Sequence, residues 1–342
     1  MSTNALTRTP KSDGKPHVAS AGAAITPGNE APPAASAHPR LDGIIESAAR
    51  LGPVRVAVAY ACSASSIAAA ADAQRLGLVQ PIMVGPSART CAIADENGID
   101  VSAMEFVDAP DDPNAAARVS VQLCREGAAG LIMKGSLHSD EILAAVVSKD
   151  SGLRTERRVS HAFVFDIPSY PKPLLMADCV VNIQPGLMEK RDITQNAIDL
   201  AGSLGIERPY VGILSAVETI NPAIPGTLEA AALSKMAERG QITGAVVDGP
   251  LAFDIAISLE AAAIKGISPP IGEPPDILIV PNLEAGNLLY KQLVYLAGAQ
   301  CAGIVLGTKI PVILTSRADS RKCRIASCAL AALRVHRARE PR

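Results

Sequence analysis

The stretch that decides the fold is VRVAVAYACSASSIAAAADAQRLGLVQPIMVG, residues 54–85. It begins with an almost uninterrupted apolar run, continues with a segment of helical spacing that ends at Gly77, and closes on a second short apolar run. Two fully apolar strands separated by a helix are typical of a βαβ unit, whose parallel strands are buried on both faces. The stretch therefore predicts a parallel sheet covered by helices.

The same alternation of strand and helix fills the rest of the chain. Further apolar strands are predicted at AMEFVDA (103–109), AGLIMKG (129–135), YVGILSA (210–216), GAVVDGP (244–250), DILIVPN (276–282), AGIVLG (302–307) and PVIL (311–314). Only SYPK separates HAFVFDIP (161–168) from PLLMADCVVNIQP (173–185), so we expect these two to pair antiparallel. The fold class is α/β, with two α/β lobes. The residues alone do not decide which lobe receives the last strand.

The predicted domain boundaries follow from this pattern. Residues 1–40 are rich in Pro, Ala, Ser and Gly and poor in bulky apolar residues, so we expect a disordered tail. Residues 41–155 together with 300–342 are predicted to form a discontinuous first lobe, and residues 156–299 a second lobe.

The composition excludes several function classes. The 342 residues are 48% hydrophobic and carry a net charge of −2, so nothing global favours nucleic acid or an anionic membrane. No apolar run reaches the ~18–20 residues that a membrane span needs. The seven cysteines form no CxxC pair, and of the five histidines only His138 and His161 lie in the body of the chain. We therefore expect a cytoplasmic protein with free thiols, without a membrane or nucleic-acid partner and without a metal site.

Polar residues follow several predicted strands, where ligands of open α/β sheets bind. Gly135, Ser136 and Ser139 follow the strand at 129–135, and Asn282 and Asn287 follow the strand at 276–282. Taken singly, such residues are more often helix caps and tight turns than ligand contacts. Both interpretations stay open for them.

Arg317 is the residue that capping does not explain. It lies between the strand at 311–314 and the last helix, in Thr315-Ser316-Arg317-Ala318-Asp319-Ser320. A helix N-terminus already carries partial positive charge and repels an arginine. A bound anion removes the conflict, because the guanidinium can clamp its oxygens while hydroxyls and helix amides complete the site. We therefore predict a phosphate-type site around Ser316 and Arg317.

Three common nucleotide and nucleophile motifs are absent. No GxGxxG follows the first strand, no GxxxxGK[ST] occurs, and GxSxG does not occur either. A dinucleotide-binding Rossmann site, a P-loop kinase and an α/β-hydrolase elbow are all disfavoured.

Four segments resemble the phosphate acetyltransferase and phosphate butyryltransferase family. The longest is DILIVPNLEAGNLLYKQLVYLAGAQCAGIVLGTKIPVILTSRADS, residues 276–320; shorter ones are MKGSLHS (133–139), LRTERRVSHAFVFDIP (153–168) and VVDGPLAFDIA (246–256). The resemblance covers most of residues 45–335. It implies two α/β lobes around a deep interlobe cleft, similar in fold to isocitrate and isopropylmalate dehydrogenases, and a homodimer.

The resemblance also implies an activity. The family moves a short acyl group between coenzyme A and inorganic phosphate in a ternary complex, without a resident cofactor. Ser316 and Arg317 match its serine-arginine pair at the acyl and phosphate site, and Gly135 and Ser136, with Ser139 nearby, match a phosphate-side loop. Acetyl is the favoured acyl group and butyryl the second candidate.

The base and the CoA contacts rest on weaker matches. The acetyl-specific branch has a proposed aspartate base seven residues after the serine, where this chain has Cys323; Asp319 is the nearest carboxylate. The base is therefore open, with Asp319 as the candidate. The candidate CoA-binding residues are Asn282, Asn287, Lys291, Arg321 and Lys322. Two alternatives stand beside the acyltransferase, namely an NAD-dependent hydroxy-acid oxidoreductase on the same scaffold and a non-catalytic degenerate member.

Overall fold

The computed structural model of the protein describes residues 37–314 and 319–339. The strands in the described residues are β1 Val54–Ala59, β2 Val79–Gly85, β3 Glu105–Asp108, β4 Leu131–Lys134, β5 Ser160–Asp166, β6 Leu174–Ala177, β7 Tyr210–Leu214, β8 Val246–Leu251, β9 Ile277–Ile279, β10 Gln300–Leu306 and β11 Val312–Ile313. The helices are α1 Pro39–Leu51, α2 Ala64–Arg75, α3 Ser87–Glu96, α4 Pro113–Arg125, α5 Ser139–Val147, α6 Leu187–Ser203, α7 Pro225–Glu238, α8 Phe253–Ile257, α9 Leu259–Ile264, α10 Leu283–Tyr295 and α11 Arg321–Arg339.

All of these strands join one sheet in the order β3-β2-β1-β4-β11-β10-β5-β6-β9-β7-β8. The predicted βαβ unit is confirmed, since β1 pairs parallel with β2, and so is the antiparallel pairing of β5 with β6. The last strand, β11, lies parallel to β4. The direction of β10 was not expected, because it runs antiparallel to both β11 and β5. An apolar run shows that a strand is buried but carries no information on its direction.

The reversal at β10 divides the parallel strands into two sets. Strands β1 to β4 and β11 run one way, and β6, β7, β8 and β9 run the other way. The carboxyl ends of the two sets therefore lie at opposite edges of the sheet. Residues that follow β4 and residues that follow β9 cannot meet at one edge.

Helices cover both faces of the sheet. On one face α1, α2, α6, α7 and α11 pack over a shared apolar cluster that includes Leu41, Ile67 and Leu330. On the other face α4 and α5 cover the half of the sheet around β1 and β4, and α8, α9 and α10 cover the half around β6 and β9. Strands β10 and β5 lie between these two groups of helices.

Helix α1 was not anticipated from the sequence, although Leu41, Ile44 and Ala48 have helical spacing and are buried. It begins at Pro39, inside the predicted tail, whose residues 1–36 lie outside the described part of the chain. Asp166, fully buried at the end of β5, accepts hydrogen bonds from the backbone N–H groups of Arg40 and Leu41 at 2.8 and 3.1 Å. The Arg40 guanidinium lies 2.7 Å from the same carboxylate. A carboxylate 125 residues away therefore caps this helix.

Helix α11 is anchored to β10 through Ser327. The Ser327 hydroxyl accepts a hydrogen bond from the backbone N–H of Gly303 at 3.0 Å and donates to the carbonyl of Cys323 at 2.8 Å. Its central residues are almost fully buried, which fixes the position of its first turn. In the described part of the chain, no helix combines the length and apolarity needed to cross a membrane.

Candidate active site

The turn after β4 and the end of β11 lie at one edge of the sheet. Because β1, β4 and β11 are parallel neighbours, the residues that follow them emerge side by side. The register pairs Ala59 with Lys134, and Met133 with Ile313. This edge therefore carries the turn after β4 and Leu314, the last described residue after β11.

The turn after β4 requires a glycine. The N–H groups of Gly135 and Ser136 donate to the carbonyls of Ala59 and Tyr60 at 2.9 and 2.8 Å. A Cβ added at Gly135 would lie 2.4 Å from both carbonyl oxygens, a separation that no side chain tolerates. These two amides are already engaged, so the turn offers an anion the Ser136 hydroxyl rather than its backbone N–H groups.

The start of α5 completes this turn. The backbone N–H of His138 donates to the Glu141 carboxylate at 2.6 Å, which fixes the first turn of the helix, and the partly buried Ser139 is its first residue. The Lys134 ammonium donates to the Leu137 carbonyl at 3.1 Å and brings a positive charge to the same turn. The predicted residues Gly135, Ser136 and Ser139 are therefore close together.

The start of α11 is held by Gln300, a residue that the sequence analysis missed. Ser320 caps the helix, since its hydroxyl accepts a hydrogen bond from the Cys323 N–H at 3.1 Å. The Gln300 side-chain oxygen accepts from the Ser320 hydroxyl at 2.9 Å and from the Cys323 thiol at 3.2 Å. One amide on β10 thus fixes the helix turn that begins just after Asp319. Nothing in the local pattern around Gln300 signals this, because its partners lie 20 and 23 residues away.

Two of the predicted catalytic residues, Ser316 and Arg317, lie outside the described residues and stay predictions. Asp319 is described and partly buried. Its charge acts on its neighbours, raising the pKa values of Tyr290, Cys301 and Cys323 as a secondary contribution. Asp319 therefore belongs to the group around Gln300 at the start of α11.

The pKa values of two thiols in this group are shifted in opposite directions. Hydrogen bonding from the Cys301 thiol, helped by the Ser320 hydroxyl and the Cys301 N–H, lowers the pKa of Cys323 to about 6 against the opposing effect of burial. The same thiol–thiol hydrogen bond, together with burial, raises the pKa of Cys301 well above its usual range. Of the two thiols, Cys323 is therefore the more acidic.

An aromatic wall borders the group on the side of β5. Tyr290 of α10 stacks on Phe163 with ring centroids 4.4 Å apart, and His161 meets the edge of Phe163 at the same distance. Burial lowers the pKa of His161 to about 3, so its ring is neutral. Only 3% of the chain is aromatic, yet several aromatic residues lie together here. Their scarcity elsewhere is the signal by which the sequence could have pointed to this region.

Two predicted CoA-binding residues form ion pairs with helices on the other face. The Arg321 guanidinium contacts the Asp72 carboxylate of α2 through two nitrogens and holds the pKa of that carboxyl below its usual value. The Lys322 ammonium lies 2.7 Å from the Asp42 carboxylate of α1. Both contacts fasten α11 to its neighbouring helices.

The remaining predicted CoA-binding residues lie on α10. Asn282 caps that helix by accepting from the Ala285 N–H at 2.9 Å, and the Asn287 amide donates to the Cys179 carbonyl at 3.4 Å. They follow β9 and so lie at the opposite edge from Gly135. Lys291 is exposed and comes directly after Tyr290 of the aromatic wall. Of Asn282, Asn287 and Lys291, Lys291 is therefore the residue adjacent in sequence to the aromatic wall that borders the start of α11.

A cavity of about 780 Å³ lies at the other edge, beside the start of β5. The connection 154–159 lines it, with Arg158 bonded to Asn182 at 2.8 Å and paired with Glu189 at 3.2 Å. Asp319, the one predicted catalytic residue within the described part of the chain, does not line this cavity. Among residues 37–314 and 319–339, no cluster of three His, Cys, Asp or Glu side chains has an arrangement suited to a metal ion.

Comparisons with known proteins assign the chain to a family. The family model described as "Phosphate acetyl/butaryl transferase" matches residues 112–332. The chain is 51% identical over 300 residues to a phosphate acetyltransferase of Rhizobium meliloti, an alignment that covers 88% of this chain and 95% of the relative. It is 44% identical over 279 residues to a phosphate butyryltransferase of Clostridium acetobutylicum, covering 82% and 92%.

Solved structures agree. A branched-chain phosphotransacylase from Enterococcus faecalis V583 superposes with a TM-score of 0.73 at 31% identity, covering 83% of this chain and 99% of that one. A 4-hydroxythreonine-4-phosphate dehydrogenase from Klebsiella pneumoniae superposes with a TM-score of 0.51 at 14% identity over 83% of this chain and 99% of that one, which reflects the fold alone. The chain belongs to the phosphate acetyltransferase and phosphate butyryltransferase family, a family of acyltransferases.

Proposed function

We propose that this protein transfers a short acyl group, acetyl first and butyryl second, between coenzyme A and inorganic phosphate. The observation that carries the proposal is the position of the turn after β4 beside the end of β11 at one edge of the sheet. The family assignment at about half identity supplies the reaction class. The oxidoreductase alternative is not favoured, because the dehydrogenase likeness is limited to the fold.

The proposed reaction is direct attack in a ternary complex. A phosphate oxygen attacks the thioester carbonyl, and the coenzyme A thiolate leaves with the electrons of the broken C–S bond. Holding both reactants in place contributes roughly 7–11 kcal/mol to lowering the barrier. No resident cofactor is part of the proposal; the coenzyme A thioester is a substrate.

Phosphate is proposed to bind between the two segments of this edge. Arg317 clamps its oxygens, the hydroxyls of Ser136 and Ser139 donate to it, and Gly135 allows the turn to form. The Ser136 N–H already donates to the Tyr60 carbonyl. The hydroxyl is therefore the group through which Ser136 would bind the anion. Ser316 donates to the oxyanion that develops on the thioester, a contribution of ~3–4 kcal/mol for one such donor.

Asp319 is the proposed base for the coenzyme A thiol in the reverse direction. It lies at the start of α11 among Gln300, Cys301 and Cys323, so its carboxylate belongs to the same edge as Ser136. Of the predicted CoA-binding residues, Lys291 is the strongest candidate for contact with the coenzyme A phosphates, because its side chain is exposed. The roles of Asn282, Asn287, Arg321 and Lys322 stay predictions, because each is engaged within the protein.

Two lobes around a deep cleft are the proposed architecture, with residues 41–155 and 300–342 in one and 156–299 in the other. The opposite directions of the two strand sets support this division, as do the separate helix groups on one face. The cleft would lie above β10 and β5, between α5 and α10. The residues that border it include Phe163 and Tyr290.

A homodimer in the cytoplasm is the proposed state of the protein. The outer face of α10 supports a subunit contact, since Leu288, Tyr295 and Leu296 are 68%, 74% and 81% exposed. Large apolar side chains grouped on one exposed helix mark interaction surfaces. Seven free cysteines are consistent with a reducing compartment.

A thiol-release assay tests the activity. Acetyl-, propionyl- and butyryl-CoA are incubated with the protein, with and without inorganic phosphate, and free thiol is followed with a chromogenic disulfide reagent. We expect release that depends on phosphate and is fastest with acetyl-CoA. Release at the same rate without phosphate would indicate a thioesterase, and no release with any thioester would contradict the proposal.

A further inference from the structure

A further cavity, of about 630 Å³, lies at the edge of the sheet opposite the proposed active edge. It is on the face covered by α6 and α11, and residues 155–157 border both this cavity and the cavity of about 780 Å³. Residues 306–311, which lead from β10 into β11, form a second part of its lining, and the last turns of α11 form a third. Segments distant in the sequence therefore enclose it.

Hydrogen bonds hold two of these segments against each other. The Thr155 hydroxyl donates to the Gly307 carbonyl at 2.6 Å, and the Lys309 N–H donates to the Leu153 carbonyl at 2.9 Å. Gly307 has a φ of +84°, and a Cβ added there would lie 2.3 Å from the Arg158 carbonyl oxygen. The lining is thus formed before any ligand binds, which lowers the entropic cost of binding.

The charged side chains that line the cavity are mostly cationic. Four are basic and two are acidic, namely Arg157, Lys309, Arg334 and Arg339 against Glu156 and Asp199. The whole chain carries a net charge of −2, so this is a local excess of positive charge. Cationic side chains gathered in a concave site attract anions.

One of the two acidic side chains is already neutralised. Asp199 accepts a hydrogen bond from the Arg157 guanidinium at 2.6 Å and another from the Gln195 amide at 3.3 Å. Lys309 and Arg339 are exposed, and within residues 37–314 and 319–339 neither forms an ion pair with a carboxylate. Their charges are therefore available to a ligand.

The lining also narrows the class of anion. None of the side chains that line the cavity is aromatic, so a nucleobase would find no stacking partner there. Guanidinium groups bind carboxylates and phosphates through paired hydrogen bonds. Because Lys309 and Arg339 come from different segments, a ligand with at least two anionic groups can engage both, whereas a single carboxylate cannot.

We propose that this cavity binds a compact polyanion, a small molecule with two or more carboxylate or phosphate groups. One group contacts the Lys309 ammonium and another the Arg339 guanidinium, and Arg157 adds a third cation from the opposite side. The ligand thereby links residues 306–311 to the end of α11 and to residues 155–157.

The consequence for activity rests on the proposed function. The segment that carries Lys309 continues through β11 towards Ser316 and Arg317, and Arg339 ends the helix that begins just after Asp319. A polyanion that joins Lys309 to Arg339 would restrain both elements. Because opening and product release set the turnover of many enzymes, we expect the bound polyanion to lower the acyl-transfer rate at least about twofold.

The first experiment measures binding by isothermal titration calorimetry of the full-length protein in a phosphate-free buffer. Citrate and pyrophosphate are the two probes, which distinguish carboxylate from phosphate recognition, and acetate is the singly charged comparison. Each titration is repeated in Arg317→Ala, which removes the main cation of the proposed phosphate site. We expect saturable binding of at least one polyanion in both proteins, and none of acetate.

A double variant locates the binding. Combining Lys309→Gln with Arg339→Gln should weaken polyanion binding at least about tenfold, since each change removes a charged hydrogen-bond donor. Both side chains are exposed, so folding should not be affected. Lys149→Gln, at an exposed lysine outside the cavity, is the matched control and should bind like the wild type. No saturable binding of either polyanion would overturn the inference, and so would binding that persists in the double variant.

The thiol-release assay then separates the site from the activity. Inhibition by the polyanion should disappear in the double variant and should not depend on the concentration of phosphate. Competition with phosphate would place the polyanion at the active edge and overturn the effect on activity, as would binding without any change in rate. Polyanion binding to a protein that transfers no acyl group would remove only the proposed function.

Discussion

The Cys323 thiol in the first turn of α11 donates to the side-chain oxygen of Gln300 at the start of β10, over 3.2 Å. The same oxygen holds the hydroxyl that caps α11. The geometry of the proposed active edge therefore depends on one neutral amide.

Replacing Gln300 with glutamate is expected to raise the pKa of Cys323. A carboxylate beside the sulfur disfavours the thiolate, whereas Cys301, Ser320, Asp319 and Tyr290, the groups that also face it, are unchanged. In the wild type, alkylation of Cys323 should accelerate as the pH rises through about 6 and then level off. In Gln300→Glu the rise should occur at higher pH.

The measurement is the rate of iodoacetamide labelling at Cys323 against pH, read by peptide mapping. Gln292→Glu, on the exposed side of α10, introduces the same charge at a different position and should leave the profile unchanged. Identical profiles for the wild type and Gln300→Glu would show that the Gln300 contact does not control this thiol.

Arg317→Ala should weaken the use of phosphate and slow turnover. Loss of a charged donor aimed at the transferring group typically costs ~10²–10³ in rate, and the KM for phosphate should rise because the anion loses its clamp. Steady-state kinetics with phosphate as the varied substrate check this. Arg118→Ala removes an exposed arginine of α4, whose partner Asp112 is 3.8 Å away, and should match the wild type. Unaltered kinetics in Arg317→Ala would contradict the proposed anion site.

Asp319→Asn should slow acyl transfer in both directions, because the group that accepts the coenzyme A thiol proton in one direction returns it in the other. The amide keeps the shape of the side chain but cannot accept the thiol proton, and loss of a general base costs ~10²–10⁴ in rate. The pH profile of coenzyme A acylation provides the readout. We expect the variant to recover part of its rate at high pH, where the coenzyme A thiol ionises unaided. Normal acylation at neutral pH would assign the base to another group.

Gly135→Ala should destabilise the protein, because the new Cβ would lie 2.4 Å from two carbonyl oxygens of β1 and its following turn. Overpacking of this kind costs ~1–3 kcal/mol in the free energy of unfolding. Gly43→Ala is the matched substitution, since nothing lies within 4 Å of its Cβ in the middle of α1, and alanine there should stabilise by ~0.5–1 kcal/mol. Urea denaturation of both variants gives the comparison, and equal stabilities would contradict the close approach at Gly135.

Much of the fold followed from local patterns, because each apolar run and each helical spacing reports the burial of its own segment. The βαβ unit at 54–85 and the hairpin-like pairing of β5 with β6 were predicted on that basis. The direction of β10 and the capping of α1 by Asp166 were not, since they depend on contacts between segments far apart in the chain.

The candidate site was predictable to a similar extent. Gly135 and Ser136 stood out because they directly follow an apolar strand, and they do lie beside the end of β11. Asn282 follows a strand in the same way, yet its strand runs in the opposite direction and carries it to the other edge. Gln300 gave no signal at all, because its importance comes from Ser320 and Cys323 across the fold.

The most direct test of the acyl transfer is phosphorus NMR of a mixture of the protein, acetyl-CoA and inorganic phosphate. We predict a new acyl-phosphate resonance that grows in step with free coenzyme A thiol. Release of thiol with phosphate remaining unacylated would contradict the account.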